Sequence, residues 1–180
     1  MTFTDSAWEV FNKCIEDYHV LDNVDTEINN SFQTNSIEKI LYEKCWIDTV
    51  QWHLEDIIRD ENINPEEALL IKRRIDASNQ KRTDLVEYID SWFLDKYKNV
   101  EVKPDAALNT ETPAWAVDRF SILSLKVFHM SLEANRASAS DEHRAKCQQK
   151  LDVLLTQKVD LSTSIEQLLA NIEEGKVRMK

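Results

Sequence analysis

Apolar residues recur at helical spacing in five stretches of this chain, separated by polar segments rich in Asn and Asp. Trp8, Phe11, Ile15 and Tyr18 mark a short first helix to about His19, with N-cap oxygens available on Thr4, Asp5 and Ser6. Residues 20 to 35 hold no sustained period and read as a polar loop. Ile37, Ile40, Leu41, Ile47, Val50, Leu54, Ile57 and Ile58 then form the stripe of a second helix over about 36 to 60, with Asn35 and Glu38 at capping-box spacing. Tyr42, Trp46 and His53 widen its apolar arc, so this helix is expected to be largely buried against more than one neighbour.

The strongest start signal is Asn64, Pro65, Glu66, Glu67: a cap, a proline at the first helical position and acids in the first turn. It opens a third helix to about Tyr97. At about 1.5 Å per residue that helix is roughly 48 Å long, a length that needs other long helices beside it. Residues 98 to 112 carry Pro104 and no stripe, and read as a linker. Thr112 and Pro113 repeat the cap-then-proline start, and Ala116, Phe120, Leu123, Val127 and Met130 carry a fourth helix to about Glu133. A fifth begins near Asp141, keeps its face through Cys147, Leu151, Leu154, Leu161, Ile165, Leu168, Leu169 and Ile172, and meets a terminating Gly175.

A shift of 76 positions lays the second helix on the fourth and the third on the fifth, pairing His53 with His129, Glu66 with Glu142, Leu85 with Leu161 and Ile89 with Ile165. The expectation is an all-α fold: an elongated four-helix bundle of two helical hairpins, 36 to 97 and 113 to 178, plus a short N-terminal helix. The whole of 1 to 180 is expected to form one helical domain, in which 1 to 35 caps an end of the bundle. The third and fifth helices outreach the shorter pair, which makes Trp92, Phe93 and Leu94 candidates to meet a second copy in a homodimer.

Composition narrows this picture. One Gly and three Pro leave little for the tight turns of a sheet protein. With 33 acidic against 22 basic side chains the net charge is -11, so a phosphate backbone would be repelled and nucleic acid is not an expected partner. No run approaches the ~18 apolar residues of a membrane span, and the N-terminus MTFTDSAWEV lacks the basic and apolar stretches of a signal peptide. A cytoplasmic location is expected. Cys14, Cys45 and Cys147 are odd in number, far apart and set in apolar patterns, which points to reduced thiols and to neither disulfides nor a zinc motif.

One irregularity carries candidate chemistry. The core stripe of the third helix, through Ile75, Leu85 and Ile89, passes through Ser78, Asn79 and Arg82. Folding the hairpin about residue 62 or 63 sets Trp46 opposite Asn79, Tyr42 and Glu43 opposite Arg82, and His53 within a turn of Lys72 and Asp76, with Asp48 at similar height. An Arg in a bundle must be paired, so Arg82 either bonds Glu43 or Asp48 in a structural network, snorkels to solvent, or helps to hold a ligand. In the ligand reading Asn79, Arg82 and Arg119 hold a polar molecule against Trp46, with Asp48, His53 and His129 also candidate binding residues. The second copy has Lys158 at the place of Arg82 but Leu154 and Leu155 at Ser78 and Asn79, so a pocket there would be asymmetric.

Other motifs are incomplete. Glu16 and His19 form the one Glu-x-x-His, where a di-iron bundle needs two. His53 and His129 each lack a second His at i+3 or i+4, so no metal site is expected. Asp84, Glu87 and Asp90 resemble half of the magnesium site of helical nucleotide pyrophosphatases, but the other half is missing and the row reads as a solvated edge. No phosphate loop, nucleophile elbow or Cys/His dyad is recognised, and no catalytic residue or cofactor is indicated.

The strings SIEKILYEKCWIDTVQWHLEDIIRD (36 to 60), IKRRIDASNQKRTDLVEYID (71 to 90) and PAWAVDRFSIL (113 to 123) resemble the bacterial domain-of-unknown-function family 4254 over nearly the whole chain. The resemblance implies a cytoplasmic helical protein encoded near sugar-transfer genes for envelope polysaccharides, and it implies no catalytic residue. Two functional expectations follow. The first is an adaptor that engages a protein partner through helical surfaces. The alternative is a binder of, or enzyme acting on, a polar or phosphorylated metabolite at the Asn79, Arg82 and Trp46 layer.

Overall fold

The structure, a computed structural model, describes residues 1 to 179. It is all-α, with α1 (Phe3–His19), α2 (Ile37–Ile58), α3 (Pro65–Tyr97), α4 (Pro113–Ala134) and α5 (Asp141–Glu173), and no strand among the described residues. The boundaries of the second hairpin lie 76 residues beyond those of the first at all four ends: 37 and 113, 58 and 134, 65 and 141, 97 and 173.

Local chemistry sets these ends. The Asn64 side chain accepts from the Glu66 amide at 2.8 Å ahead of Pro65, and Thr112 accepts from the Trp115 amide ahead of Pro113. Ser140 caps α5 through the His143 amide. Two caps differ from the sequence expectation. Thr2 rather than residues 4 to 6 opens α1, in a reciprocal box where the Thr2 hydroxyl accepts from the Asp5 amide and the Asp5 carboxylate from the Thr2 amide. Ser36, not Asn35, caps α2, because Asn35 sits at φ 70 whereas a cap needs the extended backbone that Ser36 has, at φ -84 and ψ 152.

The helices gather into two compact units, Glu9–Trp92 and Met1–Trp8 with Phe93–Lys180. In the unit Glu9–Trp92, α1 is clamped to α2 by buried thiols. Cys14 donates to the Tyr42 carbonyl at 3.3 Å and Cys45 to the Phe11 carbonyl at 3.7 Å, while the Tyr42 hydroxyl donates to Asp17 at 2.9 Å. Leu54, Ile71 and Ile75 close the turn end of α2 and α3, packed by Val24, Val50 and Ile58. α2 is buried over a wide arc, and that arc includes Lys44, Asp48 and Thr49 as well as its apolar residues.

In the other unit α4 packs on α5. Phe93, expected at a projecting end, is instead buried within this unit, with its ring 5.3 Å from Phe3 and stacked 6.4 Å from Tyr97. Trp8 lies 5.0 Å from Phe120 and carries the Lys158 ammonium 4.2 Å above its ring. α5 ends in a Schellman motif: the Lys176 amide donates to Asn171 and the Gly175 amide to Ile172, with Gly175 at φ 68. The tail beyond it is stitched to the 98 to 112 segment, where the Ala107 amide donates to Lys176 and the Arg178 amide to Ala107.

Candidate ligand-binding site

Between α2 and α3 of the unit Glu9–Trp92 lies a cleft of about 620 Å³. Its volume falls in the range of small-molecule sites. Trp46, Ile47, Val50 and Leu54 from α2 and Leu85 and Tyr88 from α3 give it an apolar lining, and Val24, Thr26 and Ile28 of the loop contribute one wall. Arg74 fixes that wall: its guanidinium donates to the Val24 carbonyl at 3.2 Å and to Asp25 at 2.8 Å. Ser78, Lys81, Glu43 and Asp84 supply the polar lining. Glu43 faces Lys39 at 3.8 Å and Asp84 accepts from Gln80, while Lys81 makes no ion pair among the described residues.

Trp46 is held in place by aromatic packing, edge-on to Tyr18 at 5.4 Å and stacked with Tyr42 at 6.3 Å. Rigid support of this kind preorganises a binding surface.

Beside the cleft runs a buried charge network. Lys44 donates to Asp48, both side chains being 0% exposed, and the second Asp48 oxygen lies 3.5 Å from Arg82 Nε, whose side chain is 29% exposed. Of the partners weighed for Arg82, the structure supplies Asp48. Asn79 is exposed, where its side-chain oxygen accepts from Gln51 at 2.9 Å. Both contacts fall about a turn nearer the loop than folding about residue 62 or 63 implies. Side chains lean toward the N-terminus of their own helix, which for α3 is the loop end, so Asn79 and Arg82 reach back toward it.

The remaining candidates lie elsewhere. His53 faces α1: its Nε2 is 3.2 Å from His19 Nε2 and its ring stacks on Tyr18 at 5.0 Å, with Asp22 at 3.7 Å. The His19 Nδ1 meets the Ile15 carbonyl at 2.7 Å and must carry a proton there, so in the neutral pair His53 is the donor and His19 Nε2 the acceptor. Burial holds the His53 pKa below its ordinary value, and burial also pushes Tyr18 up to about 12. Arg119 and His129 belong to the other unit, where Arg119 is exposed and paired with Glu111 and His129 lies against Phe128 at 5.4 Å.

Sequence reasoning missed Lys44, and with it the buried Asp118, Ser121 and Ser124 of α4. A signal for Lys44 existed. It stands four residues before Asp48, among Leu41, Tyr42, Cys45, Trp46 and Thr49, an arc too apolar to leave an ammonium in water.

The class these features define is an all-α protein of two helical hairpins, one of which carries an aromatic cleft beside a buried ion network. The chain belongs to the family described as protein of unknown function (DUF4254), whose model matches residues 38–180. No curated protein and no solved structure matches it.

Proposed function

We propose that the protein binds a small amphipathic anion in the cleft between α2 and α3. The observation that carries this reading is the open, mostly apolar cleft itself, with Trp46 fixed in its lining and the Lys81 ammonium available beside it. An apolar or ring face of the ligand lies on Trp46 and Leu85, its anionic group meets Lys81, and Ser78 and Thr26 offer hydroxyls for orientation. The buried Lys44, Asp48 and Arg82 network braces the cleft from behind and fixes the register of α2 on α3.

The adaptor reading has less support. The large exposed apolar side chains, among them Leu70, Tyr88, Leu132 and Val159, are spread over several helices, as on an ordinary soluble surface.

Phosphosugars and sugar nucleotides are the first probes, because the family resemblance points toward envelope polysaccharides. Calorimetric titration of the parent and of Lys81→Ala tests the reading. Binding by the parent, weakened about tenfold in the variant, is expected, since a charge-assisted hydrogen bond at an exposed site contributes about 1.5 kcal/mol. Equal affinity in the two proteins would remove Lys81 from the site.

A further inference from the structure

At the tip of the second hairpin, Glu133, His143 and Cys147 bring a carboxylate oxygen, an imidazole nitrogen and a thiol sulfur within 4.8 Å of one another. His143 and Cys147 stand four residues apart on one face of α5, just after its Ser140 cap, and Glu133 comes from the last turn of α4. The sulfur is anchored from below, where Cys147 packs with Ala134 and Leu151 against Val127 and Met130. Glu133 and His143 open the other side to solvent, with side chains 40% and 42% exposed.

The protein atoms alone do not satisfy this cluster well. One nitrogen, His143 Nε2, lies 2.9 Å from Glu133 Oε2 and 3.3 Å from Cys147 Sγ. A ring nitrogen has a single in-plane direction for a proton or a lone pair, so it serves one of the two contacts and leaves the other weak. Glu133 Oε2 also meets the Arg136 guanidinium at 3.3 Å, a competing positive charge that a cation would have to displace.

We propose that Glu133, His143 and Cys147 form a three-ligand site for a divalent transition metal of the zinc type. Zinc takes carboxylate, imidazole and thiolate donors at about 2.0 to 2.3 Å, which in a tetrahedron sets the donors roughly 3.3 to 3.8 Å apart. The two separations from His143 Nε2, 2.9 and 3.3 Å, need to open by only a few tenths of an ångström to admit the ion, and the carboxylate oxygen and the sulfur already lie within 4.8 Å of each other. Cys147 binds as thiolate and releases its proton to solvent, and the nitrogen that two partners now share turns its lone pair to the metal. A water on the open side completes the coordination. The mixed oxygen, nitrogen and sulfur set disfavours magnesium and calcium, which take oxygen ligands.

The test is titration of the metal-stripped full chain with Co²⁺, followed by absorption spectroscopy, with Cys147→Ser, His143→Gln and Glu133→Gln alongside. One Co²⁺ per chain with a thiolate charge-transfer band is expected. The band should vanish in Cys147→Ser, and Glu133→Gln, at a half-exposed position where circular dichroism should match the parent, should weaken affinity at least about tenfold. Absence of binding, binding without the thiolate band, or binding indifferent to Glu133→Gln would each overturn the site.

Discussion

Replacing Asp48 by Leu removes the carboxylate to which the fully buried Lys44 donates. Lys44 sits in the middle of α2 with none of its side chain exposed, so it cannot swing to water, whereas Arg82 is 29% exposed and can. Breaking a buried pair by deleting one partner costs about 3 to 5 kcal/mol, because a desolvated charge loses its close counter-charge. For a chain of this size each kcal/mol lowers the melting temperature by about 2 to 4 °C, so Asp48→Leu should melt roughly 6 to 20 °C below the parent. Lys44→Met with Asp48→Leu removes both charges of the pair together and should lose less than the sum of the two single losses. Arg82→Met alone should cost less than Asp48→Leu, since its contact with Asp48 is 3.5 Å and its side chain is 29% exposed. Urea unfolding followed by far-ultraviolet circular dichroism measures the parent, these three variants and Lys44→Met alone. A cost under about 1 kcal/mol for Asp48→Leu, or a double variant that loses the full sum of the single losses, would refute a stabilising buried pair.

Three further outcomes follow from separate contacts. His53 has its pKa held below 6.5 by burial, so the unfolded chain takes up the proton first. Its contribution to stability is therefore intact above pH 6.5 and falls as pH drops from there to the folded pKa, and melting curves of His53→Gln should lose that segment of the pH dependence. At Gly175 a Cβ would collide with the Glu101 carbonyl oxygen as well as strain the backbone at φ 68, so Gly175→Ala should cost about 1 to 3 kcal/mol in thermal unfolding. Gly175→Asn, which tolerates the left-handed backbone but not the collision, should cost nearly as much if close approach dominates. Arg74→Ala frees the 24 to 28 wall of the cleft, and limited proteolysis should cut there faster while global stability changes by less than about 1 kcal/mol, the Arg74 and Asp25 pair being exposed.

The helices were legible in the sequence because their signals are local: Asn64 with Pro65, Thr112 with Pro113, and Gly175 each act within one turn. The cap at Ser36 was not, because Asn35 and Ser36 are both good capping residues and the difference lies in a backbone angle. Within the candidate site, the polar interruption of α3 and the nearness of Arg82 to Asp48 could be read from helical periodicity, whereas the placing of Asn79 opposite Trp46 fell about a turn off, Asn79 meeting Gln51 instead. The cleft could not, since it depends on where the 24 to 28 segment runs and on Arg74 holding it there, contacts about 50 positions apart in the chain with no periodic signature. Lys44 escaped for a different reason: a charged residue on a helix reads as surface unless the partner that neutralises it is sought at the same time.

The claim that the cleft binds a small anion is tested most directly by filling it. Ser78 lines the cleft and is half-buried, so Ser78→Phe projects a ring into the space beside Trp46 without removing a packed group. Melting temperatures of parent and variant should be measured across phosphosugars, sugar nucleotides and small amphipathic carboxylates. A ligand at about 100 times its Kd adds about 2.7 kcal/mol, a rise of roughly 5 to 10 °C. Such a rise is expected in the parent for at least one of these classes, and its loss in Ser78→Phe. An equal rise in both proteins, or no rise in the parent with any class, would contradict it.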